Sequence, residues 1–557
     1  MSKGTSAAAR IPYRHWIDSL IEEIITYWGS TTDTINCSCG LSVSGLQHVG
    51  RLRGEVTITN TIMHLLRKRG IKTRHTIVRY TSDPWKGKPT QIEQFSNKED
   101  AKQYIGHRLI DVPDPKGELS GWVERYWKDF GDYLDEFSQD AEVLSTHDIY
   151  TWPEMQELVR YTIEHRELVR DLVNRYRARA PYPPDWIPVE VACEKCLSLS
   201  DTTVTAVDLE AYTAEYRCDS CGQTGSTSIA RGKLSWRVEW AALWHVLNVG
   251  FEPFGKDHAT PGGSRDSAKE IAEKFFKFKS PVPYAYEWVG LIEGGVDKGD
   301  MGSSDFNGFT PKVWTSVAPG YALRYLFLKN KPMRRITLGL EYVPNYVGQY
   351  ERAERVYYKV DKPRASPSEI ADINRSYELA QLGPVSKSLP LQIPYLHAVV
   401  LAQIIPTDNL IDVSIEKLAK SELIPKTISK RDHAYIKSRL MRAKTWVTKY
   451  SPETYRIKIL EKPPSGLAQQ VPPNIRNLYL QLINSLNPQT WTERSIRDAM
   501  KRITKPLSKE REVQKAFFRY IYQAFFGNDD GPRVSAFFAF TSPDIVLERL
   551  RYLSSPS

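Results

Sequence analysis

Along the chain the spacing of apolar residues changes period more than once, and each change marks a different kind of element. Trp16–Tyr27 carries the stripe of an amphipathic helix, whereas Thr34–Val43 reads as a strand. A glycine-containing loop follows, then a helix from about Gly50 to Arg69, and Arg74–Tyr80 returns as a second strand. A strand–helix–strand unit of this kind has its loop at the C-terminal end of the strand, where parallel sheets place nucleotides. Charged helical stretches run from Gly121 to about Tyr176 and stop at a proline-rich break, Ala180-Pro-Tyr-Pro-Pro-Asp185. Leu234–Val249 and Phe251–His258 look buried and strand-like or mixed, Ser267–Phe278 reads as a helix, and beyond Asn330 the pattern is mainly helical. In Arg431–Tyr450 the residues Ile436, Leu440, Ala443 and Val447 recur at helical spacing, as do Val513, Phe517, Ile521 and Ala524 further on. These stripes read as core faces rather than ligand sites. No internal repeat, coiled coil or long low-complexity tract interrupts the series.

Composition adds a size limit and a charge map. A chain of 557 residues exceeds what one hydrophobic core organises, so several domains are expected. The N-terminal run MSKGTSAAARIPYRHW has no apolar core segment, which argues against a secretory signal. The longest nearly uncharged apolar stretch, Ile393–Pro406, is shorter than the ~20 residues that cross a bilayer. The expectation is a cytoplasmic protein with no membrane partner. The formal charge of +10 is unevenly placed: residues 401–557 hold 26 Lys and Arg against 15 Asp and Glu, and residues 1–400 are close to neutral. A basic C-terminal part on a neutral body points to a polyanion held at one end, with a solvated basic surface as the alternative.

Cys193-x2-Cys196 and Cys218-x2-Cys221 are two tight pairs separated by 21 residues. Each pair sets two thiolates on one turn, and four sulfurs complete a closed tetrahedral zinc site with no open position, hence a structural one. The Thr-, Val- and Tyr-rich stretch between them is expected to form the strands of a ribbon. Cys37-x-Cys39, at the end of a strand, reads instead as a pair of small buried residues.

The segment Gly40-Leu-Ser-Val-Ser-Gly-Leu-Gln-His-Val-Gly-Arg-Leu-Arg-Gly-Glu55 joins the first strand to its helix. Gly45 and Gly50 allow close backbone approach to a ligand, the helix start offers N–H groups to phosphate, and His48 adds a donor. The run Ser44–Arg51 resembles the "HIGH" region of class I aminoacyl-tRNA synthetases, here His48-Val49-Gly50, in the form found in class I lysyl-tRNA synthetases. Further segments resemble that family in the same order. Tyr104–Pro115 is similar to its insertion motif, and the cysteine pairs lie where it has a zinc cluster. Trp236-Arg-Val-Glu-Trp240, Phe251–His258 and Gly262-Gly-Ser-Arg-Asp266 resemble its active-site core. Asp529-Asp-Gly-Pro-Arg533 to Glu548-Arg-Leu550 resembles its C-terminal helical domain.

The resemblance implies an α/β fold followed by an all-α part. A Rossmann-like catalytic domain would occupy residues 1–185 and 232–330, split by an insertion and by a zinc ribbon at 186–231. A stem at 331–391 would lead to a helical anticodon-binding domain at 392–557. The implied activity is ATP-dependent ligation of lysine to tRNA through lysyl-adenylate, with magnesium accompanying ATP and structural zinc in the ribbon. By the same resemblance, His48, Gly50, Met301, Ser303 and Ser304 would serve catalysis. Ser44, Gly45, His48, Gly50, Gly262, Gly263 and Asp266 would hold ATP, and Gly40, Ser42, Trp236, Asp257, His258 and Tyr286 would hold lysine. Asp257 or Glu239 is expected to meet the lysine ammonium, because a buried cation needs a counter-charge. Core packing is the alternative reading of Trp236 and Trp240.

The sequence departs from the family in three places. The mobile Lys-Met-Ser-x-Ser-Lys loop is represented by Gly299-Asp-Met-Gly-Ser-Ser-Asp-Phe-Asn-Gly308, with Asp300 and Asp305 at both lysine positions, followed by Thr310-Pro311. Arg51 stands where the family has Asn, and Thr81 and Ser82 stand where it usually carries acids ahead of Asp83. Losing one fixed donor at a developing phosphate charge typically costs ~10²–10³ in rate. Lys298, Arg51 or Arg53 is expected to supply the missing charge, or magnesium to bridge phosphate and Asp. The alternative is a catalytically impaired paralogue that binds tRNA or lysine. A zinc-ribbon RNA-binding protein, the third reading, leaves the Gly40–Glu55 loop and the Phe251–Asp266 core without a purpose.

Overall fold

The computed structural model of the protein describes residues 14–29, 34–177 and 180–555. Residues 1–13, which carry most of the run argued to lack a secretory signal, lie outside the described residues. The chain forms two compact units. One comprises Met1–Thr315, Pro319–Leu338 and Ala353–Val385, and the other Ser316–Ala318, Gly339–Arg352 and Ser386–Ser557.

In the first unit β1 (Thr34–Ser42), β2 (Lys72–Tyr80) and β3 (Ala141–Ser145) pair in parallel. β4 (Val189–Val191) precedes a three-stranded antiparallel ribbon of β5 (Thr202–Asp208), β6 (Thr213–Cys218) and β7 (Thr224–Ser228), and it pairs with β8 (Gly232–Leu234) just after it. β9 (Val249–Gly255) and β10 (Val282–Tyr286) return to the main sheet, whose order is β10-β9-β1-β2-β3. β11 (Val289–Glu293), β12 (Val296–Asp300) and β13 (Ile336–Leu338) make a further small sheet, order β12-β11-β13.

The main sheet is wholly parallel, as expected for a Rossmann-like core, and its strands β1 and β9 are buried on both faces. In β1 the five consecutive residues 35–39 are buried, Cys37 and Cys39 among them. Asn36 is tolerated there because its Nδ2 donates to the Leu247 carbonyl at 2.9 Å; a buried amide without a partner would destabilise the strand. The β1–β2 register runs from Thr34 opposite Lys72 to Ser42 opposite Tyr80. The Tyr80 ring then lies over Gly40, where a Cβ would come within 2.3 Å of it.

Several elements differ from the expected ones. The helix expected over 50–69 is a 3-10 turn (Val49–Leu52), a π-helical stretch (Arg53–Ile58) and an α-helix (Thr59–Lys68). The π stretch fits its surroundings: Arg53 donates to the carbonyls of Glu287, Lys331 and Arg334, and a Cβ on Gly54 would meet the Tyr286 ring at 2.1 Å. β3 interrupts the stretch read as helical over 121–176; it is a five-residue, mostly half-exposed edge strand with no long apolar run. Residues 236–246 are a helix rather than a strand, because residues 238–244 are all buried and leave no polar face to reveal a helical period. The helix read over 267–278 is Ser264–Glu270 continued by a π turn, Ile271–Phe275.

The second unit is helical from Tyr395–Ile404 to Pro543–Ser554. Its longest helix, Lys430–Lys449, starts at a capping box in which Ser429 and Asp432 exchange side-chain and backbone hydrogen bonds. Ile436, Leu440, Ala443 and Val447 are all buried along it. Phe517, Ile521 and Ala524 are buried on Arg511–Phe526, whereas Val513 is only half-buried. Among the described residues no helix is long and apolar enough to cross a membrane.

Candidate active site

The chain leaves β1 towards β2 on one side and returns at β9 on the other. Open parallel sheets bind ligands at such a switch point, beyond the C-terminal ends of the strands. A cavity of about 480 Å³ lies there. β1 contributes Gly40 and Ser42, β2 ends on Tyr80, β9 gives Glu252 and the residues up to Gly255, and β10 ends on Tyr286. His48, Gly50 and Arg51 come from the turn after β1, Trp236 and Trp240 from the helix Trp236–Val246, and Asp257 and His258 from the turn after β9. Met301 and Ser303 come from the loop after β12.

The other candidates do not line the cavity. The Ser44 and Ser304 carbonyls accept from Gln91 and Thr90, both at 2.7 Å. A Cβ on Gly45 would lie 2.4 Å from the Ser303 carbonyl, so its close approach is to the protein's own loop. The Asp266 carboxylate accepts the Gly262 N–H at 2.8 Å, and Gly263 donates its N–H to Thr260. These three residues close the turn that starts the helix Ser264–Glu270. Glu239 is fully buried and bound to the Lys233 Nζ at 2.8 Å and the Tyr150 hydroxyl at 3.0 Å. Expected as one of two acids for the lysine ammonium, it is instead engaged by Lys233, which it shares with Asp83, and it does not line the cavity.

One end of the cavity is aromatic. The Trp236 and Trp240 rings stack at 5.3 Å, Tyr80 meets Trp236 edge-on at 5.6 Å, and His258 lies 5.2 Å from Trp240. Among these rings stands Glu252, 6% exposed, which accepts from the indole N–H groups of Trp240 (3.0 Å) and Trp244 (2.5 Å). Burial pushes its carboxyl up to about 7, against the opposing pull of Arg265 and the two indoles. Glu55, half-buried, is also pushed up to about 7 by burial, with Tyr286 and Arg51 opposing. Asp257 is exposed and 3.4 Å from the His258 ring. Sequence reasoning does not single out Glu252; its one signal is a lone carboxylate inside the otherwise apolar run of β9.

At the other end the loop after β12 closes on the turn after β1. The Val49 N–H, one of those expected to meet phosphate, donates to the Phe309 carbonyl at 2.9 Å. Arg51 Nε donates to the Ser303 hydroxyl at 2.8 Å. His48 is 8% exposed, and burial, with Arg51 adding to it, lowers its pKa to about 3. At neutral pH its imidazole is therefore uncharged and offers one N–H. Asp300 pairs with Arg335 at 2.7 Å and Asp305 with Lys88 at 2.8 Å. Six carboxylates line the cavity in all, from Glu55, Asp83, Glu252, Asp257, Asp300 and Asp305, against one guanidinium, Arg51.

The cysteine ribbon is tied to this site. The four Sγ atoms of Cys193, Cys196, Cys218 and Cys221 lie within 4.8 Å of one another, a set with the geometry to hold a metal ion. The two turns match: Leu197 and Gly222, each four residues past the first cysteine of its pair, take positive φ (58° and 72°) and donate back to that cysteine's carbonyl. Ribbon residues Leu199 and Ser200 donate to the Gly106 carbonyl of the 104–115 segment. On β8, just after the ribbon, the buried Lys233 binds Asp83 at 2.7 Å as well as Glu239. Burial alone would lower its pKa, but those carboxylates outweigh burial and keep it charged.

Comparison with known proteins agrees with this geometry. The family model described as tRNA synthetases class I (K) matches residues 14–383. A lysine–tRNA ligase of Aeropyrum pernix is 35% identical over 96% of this chain and 97% of its own length. Those of Thermococcus kodakarensis and Methanocaldococcus jannaschii are 31% and 29% identical, each over 96% of this chain and 99% of its own length. The chain thus belongs to the class I (K) tRNA synthetases.

Proposed function

We propose that the protein is a lysine–tRNA ligase that activates lysine with ATP and transfers it to tRNA in the cytoplasm. The similarity to ligases of that name along almost the whole chain supports the reaction. The observation that carries the choice of amino acid is Glu252, a buried carboxylate set among Trp236, Trp240 and Tyr80. An apolar stem ending in an ammonium fits that surface: the rings take the methylenes and favour the cation, and the carboxylate neutralises it.

In the first step an oxygen of the lysine carboxylate attacks the α-phosphorus of ATP. The bond to the bridging oxygen breaks, and pyrophosphate leaves with the electron pair. In the second step a ribose hydroxyl at the tRNA terminus attacks the activated carbonyl carbon, AMP leaves, and the hydroxyl proton is released. No covalent bond to the protein forms, so its task is positioning and charge stabilisation. Gly40 and Ser42, at the end of β1, form the floor for the amino acid. Neutral His48 donates one N–H to a phosphate oxygen. Magnesium enters with ATP as part of that substrate. The helical unit, which holds the basic excess, binds tRNA at unstacked bases and phosphates.

Zinc is the metal we assign to the four cysteines, since four thiolates suit its closed tetrahedral sites. Held there, it would lock the two cysteine turns to each other, and a reducing compartment keeps such thiols available.

The aspartates of the 299–308 loop speak for adaptation rather than decay, because each has a basic partner. The double substitution D300K/D305K would set lysines against Arg335 and Lys88. It is expected to lower the rate of lysine charging by about tenfold or more, through repulsion between charges about 3–4 Å apart. An impaired paralogue would gain activity instead. The reading as a whole is tested by charging total tRNA with labelled lysine. Acid-precipitable label that depends on ATP supports it, and no label with any tRNA preparation contradicts it.

A further inference from the structure

The cavity has an imbalance that its proposed substrate makes acute. It must admit the triphosphate of ATP, yet it is lined by six carboxylates and a single basic side chain, Arg51. Resting on the ligase reading above, we propose that Arg51 grips the ATP triphosphate and takes the part of both missing loop lysines.

The alternatives are each committed elsewhere. Arg53 spends its guanidinium on three backbone carbonyls, those of Glu287, Lys331 and Arg334. Lys88 is paired with Asp305, and Arg335 with Asp297 and Asp300. Lys298 is exposed and does not line the cavity. Arg51 differs from all of them. Its Nε is anchored to the Ser303 hydroxyl at 2.8 Å, and among the described residues it makes no ion pair within 4 Å, the Glu55 and Asp257 carboxylates acting on it from further off. Both Nη groups are left to a ligand. A planar guanidinium with one edge fixed presents its remaining donors to two phosphate oxygens in a rigid fork, which the freely rotating lysine ammonium lacks. The anchor also joins the two ATP-side segments, the turn after β1 and the loop after β12. In this chain the cation stands on the fixed turn and the loop supplies the hydroxyl that aims it.

The test compares the full-length native protein with R51Q, R51M and R51K. ATP and AMP binding are measured by calorimetry with magnesium, lysine binding separately, and lysine-dependent ATP–pyrophosphate exchange as the rate. The inference expects R51Q to bind ATP at least tenfold more weakly and AMP within about twofold of native. Exchange should fall by ~10²–10³, the usual effect of removing one donor from a developing phosphate charge. R51K should recover part of the loss, and lysine affinity should stay within about twofold. Equal loss for ATP and AMP, or exchange within threefold of native, overturns it. If R51Q does not fold, R51M is read in its place; if neither folds with native lysine affinity, Arg51 is structural and the inference falls. The binding arm does not depend on the amino acid. A native protein without lysine-dependent exchange would refute the ligase reading, while the ATP-to-AMP comparison would still decide the role of Arg51.

Discussion

Replacing Glu252 with glutamine should raise the KM for lysine by ~10²-fold or more, because removing one partner of a buried ion pair costs about 3–5 kcal/mol. The KM for ATP should stay within about threefold. Glutamine keeps an oxygen for the Trp240 and Trp244 indoles, so the aromatic packing survives and the charge alone is removed. The same carboxylate sets a pH dependence. Burial holds it near 7, well above an ordinary glutamate. It is charged above that value and loses its charge as pH falls through it, whereas the lysine ammonium stays protonated across the range. Lysine affinity is therefore expected in full above about pH 8 and to weaken by up to about tenfold per unit below the carboxyl pKa. E252Q should flatten that profile. Unchanged lysine KM in E252Q, or an affinity that rises as pH falls, would contradict the assignment. Glu55, with a similar upward shift, is the control: E55Q should leave the lysine KM within about threefold.

The second large effect is expected at the ribbon. Cys218→Ser should lose the bound zinc, and with it folding energy of the order seen in small zinc domains, about 10–16 kcal/mol in isolated peptides. Residues 189–234 should then exchange their amide hydrogens quickly, while the parallel sheet keeps its protection. The loss should reach the cavity through β8. Lys233 is charged and buried only because Asp83 and Glu239 hold it, and a loosened β8 leaves Asp83 without its partner. A charging rate lowered by about tenfold or more, with one zinc per native chain and none in the variant, is the expected result. A metal-free variant with native protection over 189–234 would show that the four thiols do not organise this segment.

What the sequence disclosed follows from how local each signal is. The cysteine spacing, the strand before the Gly40–Glu55 loop and the stripe along residues 430–449 are short-range patterns, and the structure realises each of them. The helix at 236–246 escaped because both of its faces are buried, so period 3.6 left no trace. β3 escaped because an edge strand of five residues needs neither a long apolar run nor alternation. At the site, the residues that line the cavity were legible where a motif carried them, as with His48, Trp236 and Ser303. Where structure and expectation differ, the difference concerns pairing in space. Glu239 looks free in the sequence and is bound to Lys233, a residue six positions earlier on another element, while Glu252, which the sequence does not single out, lines the cavity. Gly262, Gly263 and Asp266 read as phosphate binders and close a turn. Which carboxylate is engaged is decided by which strand or helix each side chain leaves from: Lys233 reaches Glu239, six positions on, and also Asp83, 150 positions back, and spacing alone does not disclose either pairing.

This cavity is expected to activate lysine with ATP although Asp300 and Asp305 stand where the resemblance to class I lysyl-tRNA synthetases places lysines. ATP–pyrophosphate exchange by the purified full-length chain, with magnesium and total tRNA and each of the amino acids in turn, tests it most directly. Exchange with lysine and none with the other amino acids is the expected result. Exchange driven by a different amino acid, or no exchange with lysine while tRNA is still bound, would contradict it.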